Sequence, residues 1–231
     1  MMTNFGKAHT LPPVGRPGKI ICVGMNYPPA AGTTRRVAPE YPVLFQKPAS
    51  GVIGHGEAIV LPGISKMVLY EGELAVVIGE CGKNLAEENA LKIVAGFTIA
   101  NDVGAADIEA RSSQWASGKM FDTFCPLGPN LVLKDDVKGP ERLTIRTWLN
   151  DQLVQDGRTS QMIFRVSYLV SYISHLTTLE PGDVILTGSP KSVGTDPDPR
   201  IPLKPGDEIR VEIEGLGELH NPVISEEQAD E

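Results

Sequence analysis

The chain has 231 residues, enough for one large domain or a core with a small appendage, and its 41% apolar and 22% charged residues are the mixture of an ordinary soluble globular protein. A net charge of −8 argues against a nucleic-acid surface. No apolar run approaches the roughly 20 residues that a bilayer span needs, and the opening MMTNFGKAHTLPPVGRPGK lacks the apolar stretch of a secretory signal, so a cytoplasmic protein with no membrane partner is expected.

Residues 1–18 are a polar lead containing Gly and Pro. KIICVGMNY (19–27) reads as a strand that opens into a loop. The proline-containing PPAAGTTRRVAPEY (28–41) reads as irregular, because proline opposes both helix and central strand. PVLFQKP (42–48) is a second short strand, and from ASGVIGHGEAIVLP (49–62) onward Gly and Pro punctuate short β runs. That pattern predicts a β-rich α+β core with few helices. MVLYEGELAVVIG (67–79) is the strongest strand, and EENALKIVAGF (87–97) reads as a short helix with an acidic first turn.

TIAND (98–102) leads into the turn VGAAD, and IEARSSQWASGK (108–119) reads as a helix that frays. RLTIRTWLNDQLVQDG (142–157) alternates around Asn-Asp, the pattern of a hairpin. In SQMIFRVSYLVSYISHLTTL (160–179), Met162, Val166, Leu169 and Ile173 share one face and Ser160 is a suitable N-cap, which predicts a long helix. EPGDVI and KPGDEI (204–209) predict two type II turns, each introducing a β run, and SEEQADE predicts a mobile acidic tail. Cys22, Cys81 and Cys125 are odd in number and lie in apolar or turn sequence, as reduced core thiols do, with neither a disulfide framework nor a zinc spacing.

YEGEL raises a question of charge. Side chains two apart on a strand share a face, so Glu71 and Glu73 point the same way from the start of an apolar run. Like charges repel, and burying either without a partner is unfavourable. Asp102 in TIAND stands at another strand end. A cation would resolve the conflict, since carboxylates are natural ligands of Mg2+, Mn2+ or Ca2+. A solvated face paired with Lys47 or Lys66 would resolve it equally well, and the spacing leaves both readings open.

Several segments together, KIICVGMNY, PVLFQKP, YEGELAVVIG, AGFTIANDV, GKMFDTFCPLGP, MIFRVSYLVSYISHLTTLEPGDVILTGSP and LKPGDEIRVEIEGLGEL, resemble the fumarylacetoacetate hydrolase superfamily in order and style. The resemblance covers 19–223 and leaves 1–18 as a lead and 224–231 as a tail. It implies a rolled, mixed β-sheet and a homodimer. It implies Mg2+ or Mn2+ held by Glu71, Glu73 and Asp102, with Lys119 as the active-site lysine. It also implies Thr187, Gly188 and Ser189 against a substrate carboxylate, with Asn26 and Tyr27 lining the pocket. The substrate implied is a 2-oxo or 2,4-dioxo acid, whose enolate the metal stabilises.

Two departures from that family bear on the reaction. Hydrolytic members carry a His and a Glu after Gly-x-Asn-Tyr to activate water; here the stretch is PPAAGTT, and the nearest histidine in sequence is His55. The family's NDVSARDxQ reads NDVGAADIE here, so Ala106 replaces an arginine and Glu109 a glutamine. Glu109 then either transfers protons, accompanies a substrate without the usual distal carboxylate, or points to solvent. Arg111, or Arg35 and Arg36, are candidate replacement cations. The expected activity is enolate chemistry without hydrolysis: tautomerisation, decarboxylation, hydration or dehydration. A C–C hydrolase using Glu109 or His55 as its base is the alternative, and a non-catalytic ligand-binding protein is the third reading.

Overall fold

Aliphatic and β-branched runs bounded by Gly and Pro become strands, and a computed structural model describes residues 10–28, 38–193 and 201–229. In chain order the first strands are β1 (Ile20–Gly24), β2 (Val43–Lys47), β3 (Val52–Ile53), β4 (Ile59–Leu61), β5 (Val68–Leu69) and β6 (Gly72–Ile78). Helix α1 (Glu87–Ala90) precedes β7 (Val94–Asn101) and β8 (Gly104–Ala105), and α2 (Ala106–Glu109) and α3 (Ala116–Lys119) precede β9 (Cys125–Leu133). The hairpin β10 (Thr144–Leu149) and β11 (Gln152–Arg158) leads to α4 (Val166–Leu176). Then come β12 (Val184–Leu186), β13 (Glu208–Ile213), β14 (Gly217–Ser225) and α5 (Glu226–Ala229).

The strands form a mixed seven-stranded sheet in the order β2-β1-β12-β6-β7-β9-β3, a five-stranded sheet β11-β10-β13-β14-β4, and the pair β5-β8. The expected β-rich, curled mixed sheet with few helices is therefore what the chain builds. One face of the large sheet (Val23, Leu74, Val76, Ile78, Phe97, Ile99) packs against Val166, Leu169, Val170 and Ile173 of α4 and against Ile145, Val211 and Ile213 of the smaller sheet. The other face is built from smaller side chains, among them Cys22, Ala75, Ala100 and Cys125. Glu73 shares that face with Ala75 and Val77, because strand side chains alternate. Among the described residues no helix is long and apolar enough to cross a membrane.

Several predicted elements are redrawn by tertiary context. MVLYEGELAVVIG is two strands, interrupted at Tyr70 and Glu71, where Glu71 N–H donates to Asn101 Oδ1 at 2.9 Å instead of to a ladder carbonyl. Of EENALKIVAGF only 87–90 is α-helical; a 3-10 turn follows, and Val94–Phe97 belong to β7, buried between β6 and β9. IEARSSQWASGK splits between the short helices α2 and α3. The long helix begins at Val166, not after Ser160. Ile163 N–H and Phe164 N–H are drawn to the backbone and side-chain oxygens of Asn26 at 2.8 and 2.7 Å, which unwinds what precedes.

Of the acidic tail, 226–229 forms a helical turn whose Glu226 accepts Gly63 N–H at 2.9 Å rather than hanging free. Cys22 and Cys125 are buried free thiols as expected, whereas Cys81 is exposed. The hairpin at Asn150-Asp151 forms as predicted. So do both Pro-Gly turns, with Gly182 at φ 87° and Gly206 at φ 91°, values open to glycine at little steric penalty.

Candidate functional site

The antiparallel register of β6 and β7 explains how the acids meet. Gly72 pairs with Asn101, and beyond the break Leu69 pairs with Gly104, so the same register sets Glu71 opposite Asp102. Asp102 N–H donates to the Glu71 carbonyl at 2.8 Å. Glu71, Glu73 and Asp102 each present a carboxylate oxygen within 4.8 Å of the others. Glu73 and Asp102 are buried and Glu71 is partly exposed, which gives the cluster one open side.

Two buried lysines face this cluster. Lys119, at the end of α3, places Nζ 2.9 Å from Asp102 Oδ2 and 3.5 Å from Glu71 Oε2, and also donates to the Asp102 carbonyl at 3.1 Å. Lys47, at the end of β2, donates to Asp102 Oδ1 at 2.6 Å and to the Val103 carbonyl at 2.7 Å. Sequence reasoning offered Lys47 only as a solvated partner for the glutamates; it is buried and holds the aspartate instead. The overlooked signal was its place two residues after Phe45, on that residue's face of an apolar strand. In the sheet β1, β12 and β6 lie between β2 and β7, so only the curl lets Lys47 reach Asp102. Lys66 is exposed and takes no part.

Burial and the neighbouring Asp102 and Glu71 carboxylates push the Glu73 carboxyl well up, against the hydrogen bond from Gly188 N–H at 2.6 Å and the charge of Lys119. Burial alone would raise Asp102 too, but the Lys119 and Lys47 ammoniums hold it below its usual range. Burial works to lower Lys119, yet Asp102, Glu71 and Glu109 together raise it, so it stays an ammonium. Four acidic side chains (Glu71, Glu73, Asp102, Glu109) thus gather about two lysines, and the upward push on Glu73 and Glu109 reflects burial together with that crowding. A hard, oxygen-only donor set with one open side could hold a divalent cation.

Glu109 turns inward from α2. Its Oε1 lies against Gly104 and its Cγ against Gly118, where a Cβ on either glycine would overlap it, and burial raises its carboxyl while Lys119 lowers it. Tyr27 is buried near Glu73, and its hydroxyl has no hydrogen-bond partner among the described residues. Asn26 is buried with its amide fully engaged by backbone: Nδ2 donates to the Phe164 and Thr187 carbonyls at 3.0 and 2.7 Å, and Oδ1 accepts Phe164 N–H.

Thr187 donates its hydroxyl to the Leu74 carbonyl at 2.8 Å. Gly188 (φ 94°) has no room for a side chain, since a Cβ would sit 2.8 Å from Asn26 Cβ. Ser189 follows, partly exposed. His55 is engaged elsewhere, accepting His220 N–H of β14 on Nδ1 at 3.2 Å. Arg111 is exposed, and Arg35 and Arg36 lie outside the described residues. Trp115 packs edge-on against Phe45 at 5.7 Å, and Lys119 Nζ stands 5.5 Å from the centre of the Phe45 ring, which gives the lysine an apolar wall. Burial pushes the Cys125 thiol up to about 12, far from a nucleophile's range.

A family model described as "Fumarylacetoacetate (FAA) hydrolase C-terminal" matches residues 19–224. Human oxaloacetate tautomerase FAHD2A, a mitochondrial protein, is 47% identical over 216 residues, covering 93% of this chain and 69% of its own length. The structure of 5-carboxymethyl-2-hydroxymuconate delta-isomerase from Mycobacterium smegmatis matches with a TM-score of 0.84 and 41% identity, over 94% of this chain and 82% of that one. That of 2-hydroxyhepta-2,4-diene-1,7-dioate isomerase from Mycobacterium marinum matches with a TM-score of 0.82 and 39% identity, over 94% and 77%.

Proposed function

The chain belongs to the fumarylacetoacetate hydrolase family, and we propose that it is a tautomerase interconverting the keto and enol forms of a 2-oxo acid with the help of Mg2+ or Mn2+. The observation that carries the reading is the convergence of the Glu71, Glu73 and Asp102 carboxylates beside the buried Lys119. Its relatives' names, oxaloacetate tautomerase and two isomerases of hydroxydienoic acids, describe chemistry of the same kind.

Glu71, Glu73 and Asp102 would hold the divalent metal, which would supply Lewis acidity to a 2-oxo acid. Lys119 Nζ, an ammonium on the flank of the triad, gives C3 its proton as the enol becomes the ketone while the enol O–H proton passes to water, and in reverse the amine so formed takes the C3 proton back. The Phe45 and Trp115 rings keep water away from that ammonium. Tyr27 offers a substrate oxygen its hydroxyl, unpartnered among the described residues, and Ser189 stands at the partly exposed end of the turn after β12. Gly188 N–H orients Glu73, while Asn26 and Thr187 hold that turn in place without touching substrate. Hydrolysis would ask for a water-activating base, and His55, one of its two candidates, is engaged with β14. A homodimer in a reducing compartment completes the proposal; cytoplasm and mitochondrial matrix both keep the buried thiols reduced.

The test is a proton NMR time course in D2O with oxaloacetate, its esters and an acylpyruvate, with Mg2+ and then with chelator. Metal-dependent exchange at C3 with the acylpyruvate left whole, lost in Glu73→Gln and Lys119→Ala, is the expected result. Release of pyruvate and a carboxylic acid from the acylpyruvate would establish hydrolysis instead. No turnover of any 2-oxo acid would leave a binding protein.

A further inference from the structure

Glu109 is built into the site by more than its own side chain. The two glycines that flank it, Gly104 on β8 and Gly118 in α3, leave a slot in which its Cγ and carboxylate lie, and a methyl group on either would fill that slot. Lys119 borders the same slot, its Cε 2.8 Å from the Cβ position at Gly104. Asp107, the next acid on α2, anchors that helix from outside: it accepts Ser65 Oγ–H at 2.6 Å and Lys66 N–H at 3.0 Å. A carboxylate held so firmly beside the reacting lysine has a consequence for the charge of what binds there.

We infer that Glu109 determines substrate class: the site takes a 2-oxo acid whose far end, beyond C3, carries no charge, and it disfavours 2-oxo diacids. The inference rests on the tautomerase reading above. With the 2-oxo acid end on the triad and C3 at Lys119, the atoms beyond C3 run past Lys119 toward the Glu109 slot. A second carboxylate there meets Glu109, and like charges in a partly buried setting repel. The nearby Lys119 and Lys47 ammoniums are both engaged by Asp102. Lys119 is therefore shared, and Glu109 takes up the flank on which a distal carboxylate would need it.

The experiment compares oxaloacetate with its C4 methyl ester, the same skeleton with the distal charge removed. C3 exchange is followed by proton NMR at pH 8 with saturating Mg2+, and each rate is divided by the uncatalysed one. The wild-type chain is expected to favour the ester in kcat/KM. Glu109→Gln, which keeps shape and removes charge, should shift the ester-to-diacid ratio toward the diacid by about 10-fold or more. Glu109→Asp should keep the wild-type preference. Calorimetric binding of N-oxalylglycine and its methyl ester, neither of which can enolise, gives the same comparison without turnover, and the ester should bind more tightly until Glu109 is neutralised. A wild-type preference for the diacid, or a ratio unmoved in Glu109→Gln, overturns this inference while leaving the tautomerase intact. An Asp variant that behaves like the Gln variant also overturns it, because size rather than charge would then decide. Absence of exchange on either substrate overturns both proposals together.

Discussion

Replacing Asn26 with alanine should unfold the protein more readily without first changing its affinity for substrate. The Asn26 side chain makes three hydrogen bonds to backbone, at 2.7, 2.7 and 3.0 Å, tying the end of β1 to the start of the turn after β12 and to the approach to α4. Truncation leaves the Thr187 carbonyl without its donor in a place of zero solvent exposure, and leaves Phe164 N–H and C=O in a half-buried one. A buried group left unsatisfied destabilises by about 1–3 kcal/mol, and partial hydration at Phe164 reduces its share, so about 2–4 kcal/mol is expected. Urea melts of wild type and Asn26→Ala, read by circular dichroism, measure it. With a slope of about 2–3 kcal/mol/M, the midpoint should fall by roughly 1–2 M at unchanged slope. A midpoint within about 0.3 M of wild type, together with a raised KM, would refute the reasoning, since the amide would then belong to the substrate and not to the fold.

Metal removal should show in stability as well as rate. Mg2+ or Mn2+ at about 100 times its Kd should add about 2.7 kcal/mol, a rise in Tm of roughly 5–10 °C for a chain of this size, and Glu73→Gln should lose that increment; an equal rise in the variant would place the ion elsewhere. Lys47→Met should destabilise the metal-free protein by about 3 kcal/mol in urea, because Asp102 Oδ1 and the Val103 carbonyl would both face an apolar side chain. A loss under about 1 kcal/mol would mean that Lys119 alone suffices for Asp102.

What could be read from the residues alone is what depends on near neighbours along the chain. Period-two alternation placed Glu71 and Glu73 on one side, Asn-Asp between alternating runs announced the β10–β11 hairpin, and Pro-Gly announced both turns, since φ preferences and side-chain direction are local. The family resemblance picked out Asp102 and Lys119, which the fold brings to the same place as the glutamates.

Other features came only with the folded chain, because each depends on which distant segment becomes a neighbour. Ser160 is a sound N-cap by composition, yet Asn26, 138 residues before Phe164, holds the backbone there out of the helix. Lys47 looked like a surface lysine until the curl of the sheet carried it past three strands to Asp102. Glu109 had solvent and site equally open to it until Gly104 and Gly118 closed on either side. Local preference set the faces and the turns; the register between β6 and β7 and the curvature of the sheet decided which charges would meet, since neither is a property of any short stretch of chain.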